Sequence, residues 1–300
     1  MAIKINWGDL SKRMLNGVEV SKVMKNWVQI RPEVVEDDYL CFTALEANSS
    51  VQFHKFVTLT NTFEISYNKT DWEPYRWNDF YGGYEWPIIT LANVWDKVYW
   101  RSTSETPTEF SYGMVNNYRR DYTFTMSGSI AASGNVMYLL CKYGADEITN
   151  DRCFERLFEN CTALVTPPRL PSTTLKHSCY MSMFQWCTSL TTIPVLPAKR
   201  MRYTCYGSMF ANCTSLTTLP ELPATYLWDY CYMMMFFGCT WIKLSETQTW
   251  EYQTPYRIPT TWTWTQWTST LDYMFYGTWW TFTWTPTINT TYYTSNTIIS

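Results

Sequence analysis

"CYMSMFQWCTSLTTIPVLPAKRMRYT", residues 179–204, has near-copies on both sides: "CFERLFENCTALVTPPRLPSTTLKHS" at 153–178, "CYGSMFANCTSLTTLPELPATYLWDY" at 205–230 and the shortened "CYMMMFFGCTWIKLS" at 231–245. Two cysteine series hold the register, Cys153, Cys179, Cys205, Cys231 and Cys161, Cys187, Cys213, Cys239, each with a period of 26 residues. A fixed period of this length marks repeats that bury their apolar faces only by stacking on one another. After an insertion, "LDYMFYGTWWTFTWTP" at 271–286 resumes the phrase.

Within each copy, Cys-Tyr-x-x-Met-Phe sets apolar residues at i, i+1, i+4 and i+5, a spacing that predicts a short helix with one buried face. "TSLTTLPELP" alternates and then meets prolines, which predicts a short strand running into a turn. The phrase Met-Phe-x-x-Cys-x-x-Leu-x-x-x-Pro-x-Leu-Pro resembles the BspA-like leucine-rich repeat over about residues 150–240. That resemblance implies a solenoid of the kind found in bacterial surface proteins and in proteins of gut bacteriophages.

Eight of the ten cysteines belong to the two series. A small apolar thiol recurring at one point of each coil reads as an inward ladder of reduced, packed side chains. Disulfides and a metal site are the alternatives, but no Cys-x-x-Cys is present, and only His54 and His177 could add imidazole ligands. No cofactor is expected.

Upstream of the repeats the pattern changes. "YLCFTALE", "VQFHKFVTL", "FEISYN", "WEPYRW", "PIITLA" and "KVYWRST" are short aromatic and β-branched runs separated by polar turns, which predicts a small sandwich or barrel over 36–128. Residues 1–35 carry a small repeat, "MLNGVEV" and "MKNWVQI", each setting an Asn-x turn before an alternating strand. This opening resembles an N-terminal ribbon of virion proteins from phages of Bacteroides-type bacteria. The expected order is therefore a β-ribbon attachment segment (1–35), a β-sandwich-like domain (36–128) and a leucine-rich-repeat solenoid (129–300). Within the last we expect a cap at 129–152, repeats at 153–244, an insert at 245–270 and a degenerate repeat at 271–300.

The net charge of −3 gives no general pull toward nucleic acid or anionic membrane. No apolar run reaches a membrane span, and "MAIKINWGDLSKRMLNG" has no apolar h-region, so export by the general route is not expected. Hydrolase elbows, nucleotide loops, dinucleotide fingerprints and His-Glu-x-x-His are all missing. Acid pairs such as Asp37-Asp38 and Glu33 with Glu36 sit in a charged connector and read as solvated linker. The expectation is a non-enzymatic binding protein, in first place a phage tail or host-recognition component of the virion, in second a bacterial surface adhesin or glycan-binding protein. Its partners would be protein or glycan on a host cell surface, and other virion proteins through the N-terminal segment.

Two candidate ligand surfaces stand out. Trp262 and Trp264 would share one face of an extended strand and offer a platform for sugar rings, while Lys199, Arg200 and Arg202 form an outward basic cluster that reads in first place as a solvated face and in second as a surface for an acidic ligand. The tryptophans carry a second signal. Trp186 occupies a slot held elsewhere by Asn160, Asn212, Gly238 and Gly277, Trp27 aligns with Gly17, Trp241 aligns with Ala163, Ser189 and Ser215, and Trp95 stands in a break between strands. Glycine is scarce at 11 of 300, against a usual share of roughly 7%. These positions, with several C-terminal tryptophans, predict that one codon assigned to Trp is read as Gly in the native protein. UGG at positions 27, 186 and 241 of the coding DNA would contradict this.

Overall fold

A computed structural model describes residues 14–15, 18–19, 39–55, 62–76, 78–80, 83–108, 113–115, 118–120, 122–259, 269–278 and 285–300. The chain divides into two compact units, Met1–Asp38 and Tyr39–Ser300. In the first, β1 (Met14–Leu15) and β2 (Val18–Glu19) pair antiparallel.

In the second unit the aromatic runs supply β3 (Leu40–Ala44), β4 (Ser49–Lys55), β5 (Phe63–Ser66), β6 (Glu73–Tyr75), β9 (Ile89–Leu91) and β10 (Lys97–Ser102). Two small hairpins accompany them, β7 (Asn78–Phe80) with β8 (Gly83–Glu85) and β11 (Gly113–Val115) with β12 (Tyr118–Arg120). Next come β13 (Tyr122–Ser127), β14 (Ile130–Ser133) and β15 (Leu164–Thr166). One sheet has the order β15-β14-β3-β10-β5-β6 and the other β13-β4-β9. Rings fill the space between them: Phe42 meets Phe124 at 4.9 Å, and Phe53 meets Phe63 at 5.1 Å and Trp100 at 6.1 Å. Residue 128 does not divide this unit, because β13 and β14 lie on either side of it and pair with β4 and β3. Moreover β15, from the first repeat, extends the larger sheet in parallel with β14.

The expected leucine-rich-repeat solenoid with a helix in each repeat is not found. The described residues contain no α-helix, only a 3-10 turn at Val136–Leu139. In its place each Cys-Tyr-x-x-Met-Phe segment is a ribbon of overlapping turns. In 178–187, Met181, Met183, Gln185 and Cys187 each donate their N–H to the carbonyl three residues back. The intervening N–H groups of Tyr180, Ser182, Phe184 and Trp186 donate to Cys205, Gly207, Met209 and Ala211 in the next copy. Alternate amides thus close turns or bind the neighbouring coil, and the buried backbone is satisfied without a helix.

The backbone explains the difference. Cys179, Tyr180, Met183, Phe184 and Cys187 are all fully buried. Their spacing also fits one face of a helix, so the side-chain pattern by itself does not separate the two. Every fourth residue, Ser178, Ser182 and Trp186, has a positive φ of 52°, 53° and 65°, which breaks any helical run.

Stacking makes ladders. Phe124, Phe158, Phe184, Phe210, Phe236 and Phe275 stack ring on ring at 5.3–5.8 Å between centroids. Because Phe124 belongs to β13, the sheet pair seals the first coil and its core runs into the ladder. At the other end the last copy stacks in register: Tyr232, Met234, Phe236 and Gly238 donate to Thr270, Asp272, Met274 and Tyr276. The C-terminal strands lie alongside. β16 (Thr218–Pro220) pairs with β20 (Thr297–Ile299), and β17 (Leu244–Ser245), β18 (Thr254–Arg257) and β19 (Thr291–Thr294) form a sheet ordered β17-β19-β18.

Candidate ligand-binding face

The ladder cysteines face inward, and all ten cysteines are free and buried. Cys161, Cys187, Cys213 and Cys239 donate their thiols to the carbonyls of Phe124, Phe158, Phe184 and Phe210 at 3.0–3.1 Å, so the first sulfur ties the first coil to β13 and each of the others ties one coil to the coil before it. Burial pushes these thiols up, Cys239 to about 12, which suppresses the reactive thiolate. No group of three His, Cys, Asp or Glu side chains with metal-binding geometry occurs among the described residues.

The outward positions just before the first cysteine of each copy behave differently. Parallel bridges set Arg200 between Thr174 and Tyr226. By the same register Arg202 lies between Lys176 and Trp228, and Tyr203 between His177 and Asp229. The interior repeats from copy to copy, while this face changes residue at each step. Lys199, Arg200, Arg202 and Tyr203 are exposed, and so is Tyr226.

Rings and a guanidinium meet there. The His177 and Trp228 rings approach edge-on at 5.8 Å, Tyr203 lies 6.3 Å from His177 and 5.6 Å from Tyr230, and the Arg202 guanidinium is 6.0 Å from the Trp228 ring. Arg202 therefore has an aromatic neighbour to hold its orientation. Asp151 accepts the His177 backbone N–H at 3.0 Å. Lys199, Arg200 and Arg202 form no ion pair among the described residues. Arg101, by contrast, is consumed internally: it pairs with Glu64 at 2.5 Å and lies 3.8 Å from the Trp72 ring.

Sequence reading found the three cations but missed Tyr203, Tyr226 and Trp228. The signal was in the alignment, since 174/200/226 and 176/202/228 are register positions where the copies disagree in chemistry. Trp262 and Trp264 lie outside the described residues, as do Asp37, Asp38, Glu33 and Glu36. A cleft of about 190 Å³ lined by Glu221, Leu222, Pro223, Pro255, Tyr256, Arg257 and Ile298 lies apart from this face. It falls below the roughly 300 Å³ at which small-molecule pockets begin.

The tryptophans singled out in the sequence divide into two groups. Trp186 has φ 65°, beside 64° at Asn160, 62° at Asn212, 70° at Gly238 and 72° at Gly277. Trp95 has φ 73° and is 69% exposed. Trp241 is not among the positive-φ residues, so its backbone makes no demand for glycine. Trp27 lies outside the described residues.

A paired substitution tests the backbone demand. Trp186→Gly and Trp186→Ala delete the same ring, and at this left-handed position the glycine variant is expected to be more stable by about 1 kcal/mol. At Trp241 the order reverses and Ala wins by about 0.5–1 kcal/mol. Urea unfolding of the four variants gives both signs.

No family model matches the sequence, and neither a curated protein nor a solved structure matches it.

Proposed function

We propose that the chain is a non-enzymatic binding protein of a phage particle, a tail or host-recognition component whose stacked repeats present a ligand face to the host cell. The observation that carries this reading is the contrast within the stack. Inward rows hold Cys, Phe and Leu with little change, while the outward row runs Lys176, Arg202, Trp228 and exposes rings and cations. A surface released from packing constraint and rich in Arg, Tyr and Trp has the composition that interaction sites favour.

The N-terminal unit, Met1–Asp38, supports a role in attachment, because it is compact in its own right and its opening resembles a virion ribbon. Binding of the labelled full chain to intact Bacteroides-type cells, together with mass spectrometry of purified particles, tests the proposal. Saturable cell binding and presence in particles are expected. Absence from particles with recovery from a bacterial envelope would favour the adhesin reading, and no cell binding at all would overturn the binding role.

A further inference from the structure

We infer that the face formed by Lys199, Arg200, Arg202, Tyr203, Tyr226 and Trp228 is a subsite for an acidic glycan, a saccharide carrying carboxylate or sulfate groups. The inference rests on the binding role proposed above and names its ligand class.

Two kinds of group converge there, and together they narrow the ligand. Lys199, Arg200 and Arg202 come from a single coil, are exposed, and have no carboxylate paired with them among the described residues. Planar guanidinium forks donate paired N–H bonds to carboxylate or sulfate oxygens, which gives orientation as well as attraction. A purely electrostatic patch would need no more than that. Here, however, the cationic row is flanked by aromatic residues: Tyr226 beside Arg200, Trp228 beside Arg202, and Tyr203 next along the coil, with Tyr203 45% and Tyr226 40% exposed. Half-exposed rings with a hydroxyl at the edge suit the apolar face and rim hydroxyls of a sugar.

Exposed Thr173 and Thr174 lie beside the patch and add hydroxyl donors and acceptors for hydroxyl-rich ligands, while the Thr225 hydroxyl donates to the Lys199 carbonyl. Asp151 and Asp229 share the register row of Tyr203, and Asp151 accepts the His177 backbone N–H, so the excess of positive charge comes from Lys199, Arg200 and Arg202 in the adjoining rows. The whole chain, at net charge −3, gives no long-range pull on a nucleic acid.

Binding of the full chain to polygalacturonate, carboxyl-reduced polygalacturonate, heparin and polyglutamate tests the assignment. Polygalacturonate or heparin should bind, which of the two showing the acidic group preferred, and carboxyl reduction should weaken polygalacturonate at least about tenfold. Arg200→Gln combined with Arg202→Gln should weaken the acidic glycan by about tenfold or more, and Tyr203→Ala or Tyr226→Ala by about fivefold, with unchanged unfolding midpoints. Polyglutamate binding as tight as the glycans and indifferent to the tyrosine changes would overturn the assignment, since charge alone would then suffice. Failure of both acidic glycans to bind would also overturn it. If cell binding survives the double arginine change, the acidic-glycan subsite fails while the binding role stands; if cells do not bind the unaltered chain, it is the binding role that fails.

Discussion

Phe210→Ala is expected to lower the unfolding free energy by about 3–5 kcal/mol. The ring is fully buried and lies between Phe184 at 5.6 Å and Phe236 at 5.8 Å, nearly parallel to both. Deleting it leaves a void one ring thick, and the coils cannot close over that void. Ser208, Phe210 and Asn212 donate their N–H groups to Met233, Met235 and Phe237 of the next coil, and these bonds fix the spacing. Poor relaxation places the loss toward the upper end of the range for aromatic truncations. Phe210→Leu keeps much of the volume and should cost about 1.5 kcal/mol or less. Phe237 has only partial burial and, among the described residues, stacks on Tyr276 alone, so Phe237→Ala should fall well below Phe210→Ala. Urea unfolding with an unchanged m-value measures all three. Equal losses at 210 and 237 would show that the ladder is not the core of the stack.

Stability should collapse in mild alkali. The eight ladder thiols, Cys153, Cys161, Cys179, Cys187, Cys205, Cys213, Cys231 and Cys239, are all pushed up by burial, Cys205 and Cys239 to about 12. In the unfolded chain a cysteine loses its proton near roughly pH 8.5. Above that value the unfolded chain binds fewer protons than the folded one, so stability falls as pH rises. It is fully present below the unfolded value and drains away through the window up to about pH 12, where Cys205 and Cys239 ionise in the fold. Each thiol contributes a slope of about 1.4 kcal/mol per pH unit. Eight together remove roughly 10 kcal/mol within one unit, as much as the whole stability of many domains. Urea midpoints from pH 7 to 10, read beside thiolate absorbance, should fall steeply from about pH 8.5, with absorbance rising only on unfolding. Cys213→Ala should make the slope shallower by about one thiol's share. A flat profile to pH 10 would contradict the buried ladder.

The repeats, their period and their inward cysteines were legible because a stacked interior imposes the same side chain at the same register. The helix expectation failed on the backbone. Cys179, Tyr180, Met183, Phe184 and Cys187 fit one face of a helix as well as a four-residue period, and the positive φ at Ser178, Ser182 and Trp186 is what excludes the helix. Left-handed residues at Ser178, Ser182, Ser208 and Met234 carry no glycine signal, so the turn ribbon left little trace in residue types. Trp186 did leave one, since its sister residues Asn160, Asn212, Gly238 and Gly277 are those most at ease at positive φ.

The joining of the sheet pair to the repeats was not legible near residue 128. It depends on Phe124 entering the ring ladder and on β15 joining the sheet of β14, both long-range contacts without local signature. The ligand face was legible in part. Its cations are adjacent in sequence, whereas Tyr226 and Trp228 come beside Arg200 and Arg202 only when the coils stack.

Scalar coupling across hydrogen bonds, measured by NMR on isotope-labelled protein, distinguishes the turn ribbon from a helix at a single amide. The Phe184 N–H should couple to the Met209 carbonyl carbon in the next copy, and the Cys187 N–H to the Phe184 carbonyl carbon within its own turn. Coupling of the Phe184 N–H to the Tyr180 carbonyl, the helical partner four residues back, would contradict the stack of turn ribbons.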